Sequence, residues 1–142
     1  MENKEYIKSY QYLEEMQEKF AKDFWFMNKE KPDSWNLDFN WADNCIPMQW
    51  NNGWLSSFYQ LCTELLTEAK SDFEWLQLKE KWGYANCYYT GGITQYGREL
   101  IEQFEQETKH ICEICGSEGK IRGSGWYKCF CDDCYRELQN QE

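Results

Sequence analysis

The 142-residue sequence has a single histidine, His110, and only 15 basic residues against 25 acidic ones. It has no apolar run of membrane-spanning length, no phosphate-cradling glycine loop and no Gly-x-Ser-x-Gly turn. Each absence excludes something. A formal charge of -10 repels nucleic acid and anionic lipid unless a local basic patch intervenes. Without a long apolar segment or a signal-peptide core in residues 1–30, the expectation is a soluble protein of the cytoplasm, with no membrane partner. Gly91-Gly92 reads as a turn, and no pair of carboxylates is singled out by spacing for acid/base work. These gaps leave no catalytic residue to name, and the expectation is that the chain is not an enzyme.

What the sequence has in abundance is aromatic residues. Eight tryptophans, ten tyrosines and eight phenylalanines make up 18% of the chain. That excludes a disordered polypeptide despite a mean hydropathy of -0.89. The length suits one domain, or one domain with a small appended module, and buries roughly two-thirds of the unfolded chain's surface.

The eight cysteines divide unevenly. Cys45, Cys62 and Cys87 are scattered, and on apolar segments such thiols are usually buried and inert. The other five lie together near the end: Cys112-Glu-Ile-Cys115-Gly116, a glycine-rich stretch, then Cys129 and Cys131-Asp-Asp-Cys134. Two CxxC pairs at this spacing predict a zinc site, because each pair turns two thiolates inward and two turns complete a tetrahedron. A disulfide reading is weaker in a chain without a secretory signal. Cys129 is expected to be an ordinary thiol on a strand, and His110 is not needed once four cysteines close the site. A catalytic zinc would keep an open position, which four thiolates do not leave.

Gly116 would supply the positive φ after the first pair. Lys120 to Arg122 and Trp126 to Phe130 read as strands about a Gly123-Ser124-Gly125 turn, and Asp132 and Asp133 open a helix. Knuckle, hairpin and helix in that order describe a treble-clef finger. The expected organisation is an aromatic α+β domain over residues 1–110 and a zinc module over 111–142, with helices around a small β-hairpin.

Along the first domain, apolar spacing predicts a helix over residues 3–29, through Tyr6, Tyr10, Leu13, Phe20, Phe24 and Met27. Pro32-Asp33-Ser34 breaks it. Residues 35–54 interleave Trp35, Phe39, Trp41, Trp50 and Trp54 with asparagines and contain no lysine or arginine. They form either a partner-recognition loop or a loop folded back over the core, since aromatics dominate both. A helix over 53–69, with Leu65, Leu66 and Ala69 on its apolar side, is followed by strands over 73–81 and 84–90. A further helix over 94–109 runs through Tyr96, Leu100, Ile101 and Phe104 and carries Glu99, Glu102, Glu105 and Glu107 outward.

Two binding surfaces follow. The loop tryptophans with Glu99, Glu102 and Glu105 offer an acidic, aromatic face to a protein partner. Lys120, Arg122, Trp126, Tyr127 and Lys128 have the ingredients of a nucleic-acid contact. Residues 111–142, however, hold six acids against four bases, a net of -2, which disfavours that alternative. A third use of the aromatic loop is a pocket that sequesters a nucleotide.

Cys45-Ile-Pro-Met-Gln-Trp50 with Gly53-Trp54, Leu78-Lys-Glu-Lys-Trp-Gly83, and the Cys112 to Cys134 ending with Gly125-Trp126 together resemble a group of small bacteriophage and prophage proteins of unassigned function. The resemblance covers about residues 45–134, with Tyr84 standing where a second glycine is common. It implies a phage setting in a bacterial host, a C-terminal zinc module and an accessory role in infection. A protein of that kind would bind a host protein, as an inhibitor of a nucleic-acid-handling defence system.

Overall fold

The computed structural model describes residues 10–31, 39–123 and 125–140, apart from the side chains of residues 10–13. Tyr6, Pro32 to Ser34, and Trp35 therefore lie outside the described residues. Apolar residues at helical spacing form α1 (Tyr10–Asp23), and a 3-10 turn (Trp25–Met27) continues its buried stripe through Phe20, Phe24 and Met27. The expected helix thus ends before residue 29. Buried Asn28 ends it, its amide donating to the Ala21 carbonyl at 2.9 Å and so satisfying a helix-end acceptor.

The segment expected to be an irregular loop is more regular than its composition suggested. It contains α2 (Trp41–Asn44), capped by Asn40 Oδ1 accepting from the Asp43 N–H, and a two-residue strand, β1 (Met48–Gln49). A 3-10 turn (Asn52–Trp54) then leads into α3 (Leu55–Leu65). That helix ends four residues earlier than its apolar spacing predicted. Leu66 is exposed, and Ala69 instead bridges Ile93.

Strands β2 (Glu74–Lys81) and β3 (Tyr84–Thr90) form the predicted hairpin. Its two-residue turn has both central residues at positive φ, Trp82 at 64° and Gly83 at 87°. That geometry matches the natural strand twist. Strand β1 adds parallel to β2, with Met48 opposite Leu78, to complete a three-stranded sheet in the order β1-β2-β3. Helix α4 (Gln95–Glu107) is capped by Thr94 Oγ1 and buries Gly97, Leu100, Ile101 and Phe104. Tyr96 lies one position off that stripe and is 57% exposed, against expectation. Strands β4 (Lys120–Arg122) and β5 (Lys128–Phe130) make a separate antiparallel pair, followed by α5 (Asp132–Asn140). Trp126 and Tyr127 fall in the connecting loop rather than in the predicted strand.

The core is aromatic and centres on Phe58 of α3. Its ring lies 5.6 Å from Phe20, 5.1 Å from Trp50, 5.7 Å from Trp75 and 5.5 Å from Phe104. One residue therefore joins α1, the loop before α3, β2 and α4. Offset and edge-on ring pairs of this kind add about 1 kcal/mol each to simple burial.

The outer edge of β3 shows how α4 is used. Thr108 Oγ1 accepts from the Ala85 N–H and the Glu105 carboxylate from the Cys87 N–H, each at 2.9 Å. These side chains occupy strand-edge donors that would otherwise invite another chain. Glu105 thus does not belong to the outward acidic face predicted for it; it turns inward onto the strand. Burial pushes its carboxyl above the usual range, and Glu102 adds to this, while the bond from Cys87 and the charge of Lys109 oppose it. A folded-state value above the unfolded one means that stability is lost as pH rises from the unfolded pKa through the folded one. Glu105→Gln keeps an acceptor for Cys87 and removes the charge. The expected result is a variant more stable than the parent at neutral pH, by roughly 0.5 kcal/mol, with that advantage gone below about pH 4. Thermal melts across the acid range check it.

Candidate metal centre

The last third of the chain is organised around four thiols. Cys112 to Cys115 form a tight turn, in which the Gly116 N–H donates to the Cys112 carbonyl at 2.9 Å and Gly116 takes a φ of 83°. Only glycine adopts that angle without strain, as expected from its place after the first pair. The Cys112 N–H donates to the Ser117 carbonyl at 2.7 Å, closing the turn. Strands β4 and β5 carry the chain back so that Cys131 precedes α5 and Cys134 sits in its first turn. There the Cys134 N–H donates to Cys131 Sγ at 3.4 Å. Asp132 and Asp133 accompany it at the positive end of the helix dipole.

The sulfurs of Cys112, Cys115, Cys131 and Cys134 all lie within 4.8 Å of one another. Cys112 and Cys134 are buried, and Cys115 and Cys131 are half-buried. Cys115 Sγ and Cys131 Sγ are 3.7 Å apart, far beyond the roughly 2.05 Å of a disulfide. The group could hold a metal ion. Burial pushes the Cys112 and Cys134 thiols up. Burial works against Cys131 too, but the Cys134 N–H, the Ser117 hydroxyl and neighbouring thiols outweigh it and bring this thiol down to about 7. Phe130, Ile114, Tyr135 and Leu138 pack around the group.

The other cysteines stand apart. Cys129 is buried, belongs to the main core and donates from Sγ to the Lys109 carbonyl at 3.3 Å. Burial, with Cys112 and Glu113 nearby, raises its thiol to about 12. Cys45, Cys62 and Cys87 are buried, and burial raises all three thiols. His110 is exposed and outside the four-sulfur group.

The four-cysteine group is bonded to the aromatic domain through a seam the sequence did not announce. The Gly53 N–H donates to the Glu113 carbonyl at 2.7 Å, and Trp54 Nε1 donates to the Ile111 carbonyl at 2.8 Å. Asn51 gives both its N–H and its side-chain amide to Glu113 Oε2, each at 3.1 Å. Lys128 reaches across to the Glu80 carboxylate of β2. Asn51, Gly53 and Glu113 are the seam residues whose role sequence reasoning missed. The one available signal was the Gly53-Trp54 pair in the phage-protein resemblance.

The proposed contact surfaces fare differently. Trp54 is fully buried in the core and cannot meet a partner. Trp41 and Trp50 are half-buried against the same core. The asparagines beside them serve internal bonds, Asn44 to Asn28 and Glu30, and Asn51 to Glu113. Glu99 and Glu102 are exposed on α4 as expected. Of the basic group, Lys120 is exposed, but Arg122 pairs with Asp132 and lies 4.7 Å over the Tyr135 ring. Lys128 faces Glu80 and Glu113. Trp126, 71% exposed, and Tyr127 beside Trp82 form a small aromatic tip. Among the described residues no helix is long and apolar enough to cross a membrane.

No protein-family model, curated protein or solved structure matches the chain.

Proposed function

We propose that the chain is a zinc-stabilised, non-enzymatic binding protein of phage or mobile-element type whose acidic surface takes a basic protein partner of the bacterial host. The observation that carries the metal half is the four-sulfur group. A tetrahedron with Zn–S bonds of about 2.3 Å has edges of about 3.8 Å, close to the 3.7 Å between Cys115 and Cys131. Four soft sulfur donors fit zinc and fill its coordination sphere, so its role is structural. Turn, hairpin and helix then form a treble-clef finger, with Cys134 held by the helix.

The partner half is supported by charge. The outer side of α4 carries exposed Glu99 and Glu102, with exposed Tyr96 on the same helix, in a chain of formal charge -10. Such a surface complements the basic groove of a protein that handles nucleic acid and steers its approach. A nucleic-acid contact at the aromatic tip is the lesser reading, because Arg122 and Lys128 are already paired with carboxylates.

The test is capture of a host partner by the tagged, zinc-loaded protein, followed by titration of the purified pair. Glu99→Lys with Glu102→Lys is expected to weaken that complex about tenfold or more, and the parent complex to weaken as salt rises. Binding of single-stranded DNA or RNA at low salt in the absence of any partner would favour the aromatic tip and overturn the protein-partner reading.

A further inference from the structure

Helices α3 and α4 lie side by side and leave an open groove of about 300 Å³ between them. Thr94, the cap of α4, donates from its N–H to the Glu68 carbonyl at 3.1 Å and from Oγ1 to the Glu68 carboxylate at 2.7 Å. The start of α4 is thereby tied just beyond the end of α3, and the two helices run antiparallel. Leu61, Leu100 and Phe104 make a buried floor, and exposed Glu64, Tyr96 and Glu107 stand at the rim.

The groove carries charge of one sign. No lysine, arginine or histidine is among the described residues that line it, and Gln60 and Gln103, between the two carboxylates, are neutral amides. Gln103 Nε2 donates to Glu107 Oε1 at 2.9 Å, which steadies that carboxylate at its end of the groove. With Glu68 beside the cap of α4, Glu64 lies about level with Leu100. Leu100 and Glu107 are two turns of helix apart, so the carboxylates are separated by about 10 Å along the groove. An anionic segment would be repelled at both ends, and a neutral one would take water from both carboxylates and return nothing. A segment with a cation at each end meets both. Exposed ion pairs contribute little singly, so the match of spacing is what distinguishes the right occupant. On a helix, residues i and i+7 lie about 10 Å apart on nearly one face, and a helix suits a groove walled by two others.

We infer that this groove seats a basic helix of the protein partner, whose two cationic side chains, two turns apart, reach Glu64 and Glu107 while the helix lies over Leu100 against Tyr96. The inference rests on the reading of a basic protein partner. It places the contact in a groove that neither Glu99 nor Glu102 lines.

Two labelled helical peptides of about 20 residues test this on the full chain at low salt, by fluorescence anisotropy. Both are alanine and glutamine apart from two arginines, seven residues apart in one and five in the other, which puts the second pair on different faces. Their charge is the same, so general attraction to an acidic protein draws both equally. The first peptide is expected to bind saturably and at least about fivefold more tightly than the second. Glu64→Gln and Glu107→Gln, both at exposed positions, should each remove that preference, whereas Glu118→Gln, the same charge change on the zinc module, should leave it. Equal affinity for the two peptides would overturn the groove, as would no saturable binding up to about 2 mM or a preference that survives both groove variants. The partner reading fails separately, through Glu99 and Glu102 and the captured complex, so a groove that fails here leaves that result standing.

Discussion

Removing the metal with a strong chelator, or replacing Cys112 by serine, is expected to lower the melting temperature by about 10 °C or more, in one transition that takes the whole chain with it. The size follows from how little else holds the last third together. Its own buried cluster is Cys112, Phe130 and Cys134, and two of those three are thiols. A unit with so small an apolar core would depend on a metal bound by these thiols, and structural zinc supplies about 10–16 kcal/mol in finger-sized peptides. That matches or exceeds the whole stability of a typical domain, about 5–15 kcal/mol. The single transition follows from the seam. Trp54 Nε1, the Gly53 N–H and two donors of Asn51 all end on Ile111 or Glu113, and Cys129 sits in the main core. Loosening the knuckle therefore leaves Trp54, a fully buried residue, with an unmet N–H. Calorimetry beside metal analysis checks this. Cys62→Ala, which removes an equally buried thiol outside the metal group, should keep one metal per chain and cost only about 1 kcal/mol. A chelated protein that melts like the parent would refute the metal site altogether.

The four clustered thiols could be picked out in the sequence because a CxxC pair is a local spacing that can be read without knowledge of the fold. The β2–β3 hairpin was legible for a similar reason. Strand runs on either side of Trp82-Gly83 need only a two-residue turn to pair, and Glu80 accepting from the Gly83 N–H at 2.9 Å fastens it. What remained hidden depends on distant partners. Strand β1 is two residues long and exists only because β2 lies beside it. The tryptophans of residues 35–54 look alike as letters, yet the fold buries Trp54 completely and leaves Trp50 half-covered. Glu105 has the same helical spacing as its acidic neighbours, and only the free edge of β3 turns it inward. Glu113 was the hardest to single out. It occupies a position between Cys112 and Cys115 that local geometry leaves free for any residue, and its role comes from Asn51, 62 residues earlier.

Gly53→Ala is expected to be nearly as damaging as losing a ligand, although it touches no thiol. A Cβ at this position would stand 2.1 Å from the Cys112 carbonyl oxygen and 2.6 Å from the Glu113 backbone. No side chain can rotate away to relieve that overlap, because the atoms met are backbone of the metal knuckle itself. Either the knuckle backs off, losing the 2.7 Å bond from the Gly53 N–H to Glu113, or the start of α3 moves and pulls Trp54 from its place. We expect a loss of about 3 kcal/mol, seen as a melting temperature lower by about 10 °C. Metal stoichiometry should stay at one, because all four sulfurs remain, while tryptophan emission shifts to the red as the indole of Trp54 meets water. Gly125→Ala separates the steric cause from backbone strain. Gly125 has a φ of 84°, but a Cβ there meets nothing within 4 Å, so that variant should lose only about 1 kcal/mol. If Gly53→Ala melts no lower than Gly125→Ala, the knuckle is not held against α3, and the coupling that makes metal loss unfold the aromatic domain is absent.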